Sequence, residues 1–267
     1  MRLANLTWPR AEKVLSADPV VILPIGTAEQ HGRHLPLGTD MLAPEAVCNL
    51  IEARDPDVVI LPSWSYGQCD SQTEFPGTIS LGPQLLYEVV LKIFSGLMQH
   101  GARRFIALNG HGPNCGPIER AALALSRRGA MLAELNWWRY VWDLNPDWRG
   151  GHAGGQETAA ILAIRPECVD KSAFEPARMR GIAPDMPASG WDTVRYKGVD
   201  IPVPRLDADV PEHGGLGPDP LESATPQWGV EMLRAAADWA VDFIRAYRRI
   251  EIQNDDMGGM SKCNWQT

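Results

Sequence analysis

Three residues with metal-binding side chains follow an apolar run near the start of the chain. Residues 20–25, VVILPI, have the β-branched content of a buried strand, and Glu29, His31 and Asp40 follow on a stretch rich in Gly and Pro. Carboxylate and imidazole groups that converge beyond a buried strand suit a divalent metal ion. Asp40, at the far end of the loop, could bridge two ions with its two oxygens. The alternative is a polar surface loop with a scattered histidine, because a Glu-x-His pair is common.

A second candidate segment contains His111, which stands in the sequence NGHG directly after the predicted strand RRFIAL. The glycines on either side allow a tight backbone turn that brings the imidazole close to a bound ligand. The alternative is a turn histidine that caps its own loop. Because the first loop also carries candidate metal ligands, we favour metal binding as the role of His111.

The third candidate group lies in GGHAGGQET, residues 150–158, which precedes and begins a predicted helix. Glu157, on the rigid helix, could ligate a metal ion or hold a water molecule. His152, on the flexible loop before it, could move protons near neutral pH. The alternative is an ordinary helix N-terminus with an acidic residue in its favourable first turn.

The elements that must position these residues alternate between strand and helix. The periodicity predicts strands at residues 20–25, 57–62, 104–108 and 130–136, and helices at residues 43–53, 84–100, 118–128 and 157–164. This order predicts an α/β protein with a parallel or mostly parallel sheet covered on both faces. Such sheets bind ligands beyond the carboxyl ends of their strands, where all three candidate loops are expected to meet.

The last third of the chain has a different character. Residues 165–226 hold ten of the 22 prolines, and we expect an irregular part with short strands that covers the site or a subunit contact. The apolar periodicity of residues 228–249 predicts a long helix with one apolar face that packs on the core. Residues 250–267 read as a loosely ordered tail. We interpret residues 1–267 as a single domain.

Composition and charge exclude several functional classes. A formal net charge of −8 and a pI near 5.3 argue against a nucleic-acid or anionic-membrane surface. No apolar run reaches the length of a membrane span, and the N-terminus lacks a signal-peptide core. Five widely spaced cysteines without a C-x-x-C pair fit reduced thiols in a cytoplasmic protein. A small-molecule substrate is the expected partner.

Taken in order, these motifs resemble those of the creatininase (creatinine amidohydrolase) family. The matching segments are LPIGTAEQHGRHLPLGTD, FPGTISL, the strand followed by NGHG, GHAGGQET, and GGLGPDPLESATPQWG at residues 214–229. The resemblance covers nearly the whole chain and implies a three-layer α/β/α sandwich. It also implies one or two divalent ions per subunit (Zn²⁺, Mn²⁺ or Fe²⁺), hydrolysis of cyclic or other non-peptide amides, and a homo-oligomer, often a hexamer.

The resemblance also implies roles for individual residues. Glu29, His31, Asp40 and His111 match the family's metal ligands, with Asp40 as the bridge. His152 matches the residue assigned to proton shuttling. Trp138 and Trp148 fall where creatininase has two tryptophans that line the substrate pocket; on the residues alone, ordinary aromatic packing is the favoured interpretation.

Two positions depart from the creatininase pattern. Pro113 replaces a carboxylate that ligates the second metal ion, so that ion would need another group such as Glu157, or would bind weakly. Arg149 replaces an acid that contacts the substrate. These changes make creatinine an unsuitable substrate, and Arg149 favours one with a carboxylate, a phosphate or sugar-like oxygens.

The sequence therefore predicts a metal-dependent hydrolase that uses metal-activated water to cleave a non-peptide C–N bond, in a cyclic amide or formamide of a small polar molecule. The predicted catalytic residues are His152 and Glu157, and the predicted substrate-binding residues are Trp138, Trp148 and Arg149. Three alternatives stay open. The first is a lactone or cyclic-ketone hydrolase on the same scaffold. The second is a formylamide or peptide hydrolase serving a cofactor pathway. The third is a non-catalytic ligand-binding or regulatory protein.

Overall fold

The computed structural model describes residues 1–175, 179–210 and 223–252. Its central sheet has four parallel strands in the order β2–β1–β3–β4. These are β1 (Val20–Ile25), β2 (Val59–Ile60), β3 (Arg104–Asn109) and β4 (Met131–Asn136). The parallel sheet predicted from the alternation of strand and helix is confirmed.

Helices cover both faces of the sheet, as the three-layer prediction requires. One face packs against α2 (Thr39–Arg54), α5 (Trp137–Leu144), α6 (Gly155–Ile164) and α7 (Pro226–Tyr247). The other face packs against α1 (Trp8–Leu15), α3 (Gly82–Met98) and α4 (Cys115–Ser126). Successive residues of β1 alternate between the two cores, Val20 and Ile22 toward α2 and α7, and Val21 and Leu23 toward α3 and α4. Two buried faces explain why this strand reads as a continuous apolar run.

The strands end at the same level, and this alignment places the candidate site. Ile25, Asn109 and Asn136 are register partners, and each is the last residue of its strand. The segments that follow β1, β3 and β4 therefore leave the sheet along one edge. This edge is the carboxyl end of the sheet, where parallel folds collect their ligands.

Several predicted boundaries are corrected by the structure. Helix α2 begins at Thr39 rather than at residue 43, so Asp40 lies in its first turn and not on the loop. Pro44 is the sixth residue of α2 rather than part of its first turn. Strand β2 is limited to Val59–Ile60, shorter than residues 57–62. Helix α5 was not predicted, because it begins directly after β4 with no separating turn residue.

The Pro-rich part contains the short strands that were expected. Strands β5 (Thr193–Tyr196) and β6 (Val199–Pro202) form an antiparallel hairpin separate from the central sheet. The hairpin turns at Lys197 and Gly198, both with positive φ. Most of the family-like segment at residues 214–229 and of the predicted tail lies outside the described residues. No helix among the described residues is long and apolar enough to cross a membrane.

Candidate metal centre

Six residues predicted from the sequence meet beyond the carboxyl ends of β1 and β3. Their ligand atoms form overlapping triads within 4.8 Å, which are Glu29–Asp40–His111, His31–Asp40–Glu157 and Glu29–His31–His152. The first two triads share Asp40. All six side chains are at most 13% exposed. The structure thus brings together the residues whose convergence the sequence predicts.

The loop after β1 holds Glu29 and His31 with backbone hydrogen bonds. The amide of Glu29 donates to the carbonyl of Leu37 at 3.0 Å, which closes the loop. His31 Nδ1 lies 3.2 Å from the Glu29 carbonyl oxygen, so Nδ1 must carry the proton and Nε2 is left as a ligand atom. His31 Nε2 is 3.0 Å from Asp40 Oδ1 and 3.6 Å from Glu157 Oε2.

His111 is held in a comparable way. The side chain of Asn109 folds the turn, since its Nδ2 donates to the carbonyl of His111 at 2.7 Å and its Oδ1 accepts from the amide of His111 at 3.1 Å. His111 Nε2 donates to the carbonyl of Gln68 at 2.7 Å, which leaves Nδ1 unprotonated in the neutral ring. Nδ1 is 2.9 Å from Asp40 Oδ2 and 3.2 Å from Glu29 Oε1.

Asp40 reaches the site because the first turn of α2 packs closely against two strand ends. Side chains at Gly26 and Gly110 would collide with the Asp40 carbonyl group. Pro44, four residues later, has no N–H to bond that carbonyl. The two carboxylate oxygens of Asp40 face different histidines, His31 and His111. This is the arrangement of a carboxylate shared between two cation sites.

The segment before α6 supplies His152 and Glu157. The amide of Ala153, a non-glycine residue with φ of 54°, donates to Glu157 Oε2 at 2.7 Å. Such strained conformations cluster at functional sites. His152 Nδ1 lies 3.6 Å from Glu29 Oε1, and Nε2 lies 3.0 Å from the side-chain amide of Gln30. The Gln30 Oε1 accepts from the amide of Gly32, so Gln30 presents its NH₂ group to His152.

The buried charges perturb one another strongly. Burial opposes the charged form of His31, but Asp40 and Glu157 outweigh it and raise the pKa of His31 to about 10. Burial raises the pKa of Glu157 to about 8 and also raises that of Glu29. The pKa of Asp40 is held below its usual range by His31 and His111 despite burial. A bound cation would displace the protons that these imidazoles attract, so metal binding will be pH-dependent.

The donor set fits divalent metal ions. Both oxygens of Glu29 and Oδ2 of Asp40 are buried and accept no hydrogen bond among the described residues. A buried carboxylate without partners is costly, and a cation removes that cost. His31 and His111 each have one ring nitrogen bonded to a backbone carbonyl, the usual support for a metal-ligating imidazole. Oxygen and imidazole ligands suit Zn²⁺, Mn²⁺ and Fe²⁺.

A cavity of about 710 Å³ opens above this cluster. Trp138, a predicted substrate-binding residue, lines it together with Trp142, one helical turn further along α5. Gln156 connects α6 to α5, because its side chain accepts from Trp142 Nε1 at 3.0 Å and donates to the carbonyl of Trp138 at 3.1 Å. The i, i+4 spacing of the two tryptophans was a signal that could have identified Trp142.

Another part of the cavity lining comes from the Pro-rich part. It includes Trp191 and Arg205, neither of which was predicted. Trp191 packs edge-on against His152, with ring centroids 5.0 Å apart. No periodicity marks this wall, since its residues come from irregular backbone.

Trp148 and Arg149 are not among the residues that line this cavity. Trp148 ends a 3-10 helix and packs against the core under α7. Arg149 lies over the ring of Trp142 at 5.3 Å and lines a neighbouring cavity of about 620 Å³. The contact with substrate proposed for both residues stays a prediction.

Carboxylate and imidazole groups gathered beyond the strand ends of a three-layer α/β/α sandwich suit a metal-dependent hydrolase. The chain belongs to the creatininase family, whose family model, described as creatinine amidohydrolase, matches residues 4–244. It is accordingly a metal-dependent amidohydrolase of that family.

Relatives of the chain have more than one activity. Creatinine amidohydrolase of Pseudomonas putida is 34% identical over 191 residues, 63% of this chain and 73% of that protein. A mycofactocin precursor peptide peptidase of Mycobacterium tuberculosis is 30% identical over 253 residues, 91% of this chain and 90% of the peptidase. Two solved creatininase structures are similar to this chain, one a mutant of the Zn-Zn type and the other described as Mn. Each is 28% identical to this chain, and the match covers 92% of this chain and 97% of the solved one. Their TM-scores are 0.70 and 0.71.

Proposed function

We propose that the protein hydrolyses a non-peptide C–N bond, in a cyclic amide or formamide of a small polar molecule. The observation that carries the proposal is the shared carboxylate of Asp40, whose oxygens lie 3.0 Å from His31 Nε2 and 2.9 Å from His111 Nδ1. Two cation sites bridged by one carboxylate suit the activation of water for attack on a carbonyl.

In this proposal, Glu29, Asp40 and His111 would hold one ion, and His31, Asp40 and Glu157 would hold the other. The bound Zn²⁺, Mn²⁺ or Fe²⁺ ions supply Lewis acidity and lower the pKa of water. Glu157 takes over the role of the carboxylate that Pro113 replaces, because its Oε2 lies 3.6 Å from His31 Nε2.

His152 is proposed to take the proton that the attacking water loses and to pass it to the leaving nitrogen. Its ring is 13% exposed and borders the cavity, close to Glu29 but outside the two triads that share Asp40. A positioned proton donor of this kind raises rates by about 10²–10⁴. Trp138 and Trp142 form an apolar wall that excludes bulk water from the reacting carbonyl.

A second candidate is hydrolysis of a short peptide, favoured by the similarity to the peptidase over 91% of the chain. The attack on an amide carbonyl would be the same, and the cavity walls would decide which amides enter. A lactone or cyclic ketone hydrolase remains a prediction from the sequence, as do the homo-oligomeric assembly and the cytoplasmic location.

The test replaces His111 by Ala and measures bound metal and hydrolysis on the same preparation. A panel of cyclic amides, formamides, dipeptides and sugar lactones is assayed with Zn²⁺, Mn²⁺ and Fe²⁺ added in turn. We expect loss of at least one ion and of activity in the His111→Ala variant. The matched control is His100→Ala, an exposed histidine after α3, which should keep both. Full retention of metal and activity in His111→Ala would remove the assignment.

A further inference from the structure

Arg205 is a cationic residue among those that line the cavity above the metal centre. Among the described residues that line the cavity, five are carboxylates, Glu29, Asp40, Asp70, Glu157 and Asp192, and Arg205 is the one Arg or Lys. It lies directly after the hairpin of β5 and β6, in irregular backbone that the metal-binding motifs do not include. The family-like motifs therefore do not account for it.

The guanidinium of Arg205 is held at one end and unsatisfied at the other. Its Nη1 donates to the carbonyl of Arg180 at 2.8 Å. Its Nε and Nη2 are buried and have no hydrogen-bond acceptor among the described residues. Leaving donors of a charged group unpaired in the interior is costly, because they lose their hydrogen bonds to water and gain none in exchange. An arginine kept in this state in the wall of a cavity indicates an acceptor that a bound ligand supplies, once the side chain turns and uncovers its two nitrogens.

The unsatisfied pair of nitrogens has a specific shape. Nε–H and Nη2–H point to the same side of the guanidinium and form a fork that matches two oxygens of one oxyanion. The chain contains a filled example, since Arg195 Nε and Nη2 donate to Asp200 Oδ1 and Oδ2 at 2.7 Å and 2.8 Å. Arg205 presents the same two atoms without a carboxylate partner.

We infer that Arg205 is a specificity-determining residue, and that the substrate carries an oxyanion, a carboxylate or a phosphate, which binds its Nε–Nη2 fork while the scissile carbonyl lies over the metal centre. This inference rests on the proposed amide hydrolysis and narrows its substrates to anionic amides. The amide end of such a substrate would contact the metal ions, and its anionic end would contact Arg205. It also places the anion-recognition role in the cavity wall, at Arg205, and not at Arg149.

The experiment measures binding, so it does not depend on turnover. Linear alkyl hydroxamates, which bind divalent metals, are titrated calorimetrically into the metal-loaded protein. Each carries a terminal methyl, carboxylate or phosphonate group, in chains of two to six carbons. We expect one chain length at which an anionic hydroxamate binds roughly 10- to 100-fold more tightly than its methyl counterpart, the value of charge-assisted hydrogen bonds. The comparison of carboxylate with phosphonate identifies the oxyanion.

Variants assign the effect to a residue. Arg205→Gln should abolish the discrimination, and Arg205→Lys should keep only part of it, because an ammonium lacks the fork. Methyl hydroxamates should bind all variants equally, which shows that the protein is folded and loaded with metal. The matched control, Arg195→Gln, removes an exposed arginine of the same segment and should leave the discrimination intact.

Equal affinity of methyl and anionic hydroxamates at every length would overturn the inference. So would discrimination that survives Arg205→Gln, or that disappears in Arg149→Gln instead. These outcomes are separate from failure of the proposed function. A protein that discriminates through Arg205 but cleaves no amide refutes only the reaction, and one that cleaves neutral and anionic amides equally refutes only the role of Arg205.

Discussion

Replacement of Gly110 by Ala tests whether the metal centre depends on close packing of α2 against the sheet. A Cβ at position 110 would lie 2.8 Å from both the carbonyl carbon of Asp40 and Cγ of Pro44, and closer still to the Asp40 carbonyl oxygen. Carbon atoms pack at about 3.5–4.0 Å, so the first turn of α2 must retreat by about 1 Å. Asp40 moves with that turn, and neither of the two triads that share this residue then keeps its Asp40 oxygen in place.

A misplacement of about 1 Å at a catalytic site can cost on the order of 10²-fold in rate. We therefore expect Gly110→Ala to lose roughly 10²-fold in kcat/KM and to bind less metal, while it remains folded. The assays are elemental analysis of the purified protein, hydrolysis of the best substrate from the panel, and thermal unfolding.

Gly116→Ala is the matched control, because a Cβ at position 116 would have no neighbour within 4 Å. It lies near the start of α4, six residues along the chain, and should keep its metal and activity with equal or slightly greater stability. The reasoning would be refuted by Gly110→Ala protein with full metal content and wild-type kcat/KM.

Two further predictions concern ion number and pH. Glu157→Gln removes a carboxylate from the His31–Asp40–Glu157 triad only, so elemental analysis should show one ion fewer per chain. Asp40→Asn should lose both ions, because Asp40 belongs to two triads. Equal metal content in the two variants would contradict the bridging role of Asp40. Burial raises the pKa of Asp207 from 3.8 to about 7, so its contribution to stability is fully present below about pH 4 and is lost as the pH rises to 7. Relative to Asp207→Asn, the wild-type free energy of unfolding in urea should fall by on the order of 4 kcal/mol over that range, and parallel pH profiles would contradict this.

Much of the site could be predicted because its residues follow recognisable strands. The continuous apolar run of β1 fixes one strand end, and NGHG after β3 fixes another. Parallel strands in register then bring Glu29, His31 and His111 to one edge, which is a general property of such sheets. Local sequence patterns and the geometry of parallel sheets were together sufficient to predict the residues at the floor of the cavity.

The remainder depends on packing that no local pattern encodes. Pro44 argues for a helix that starts near it, yet α2 begins at Thr39, because close contact with Gly26 and Gly110 fixes the turn that carries Asp40. Arg205 and Trp191 reach the cavity through irregular backbone, where neither a period of 2 nor one of 3.6 applies. Trp148 and Arg149, in contrast, are near the site in sequence but are turned toward the core and a neighbouring cavity.

The wall that carries Trp191 and Arg205 adds no strand to the central sheet, whose four strands lie earlier in the chain. If Arg205 selects the substrate as we propose, reaction chemistry and selectivity are encoded in separate stretches of the gene. Residues 188–206 could be exchanged for the equivalent stretch of a relative without rebuilding the buried layers. Laboratory evolution that seeks new amides should concentrate its diversity there, and natural divergence has the same route open to it.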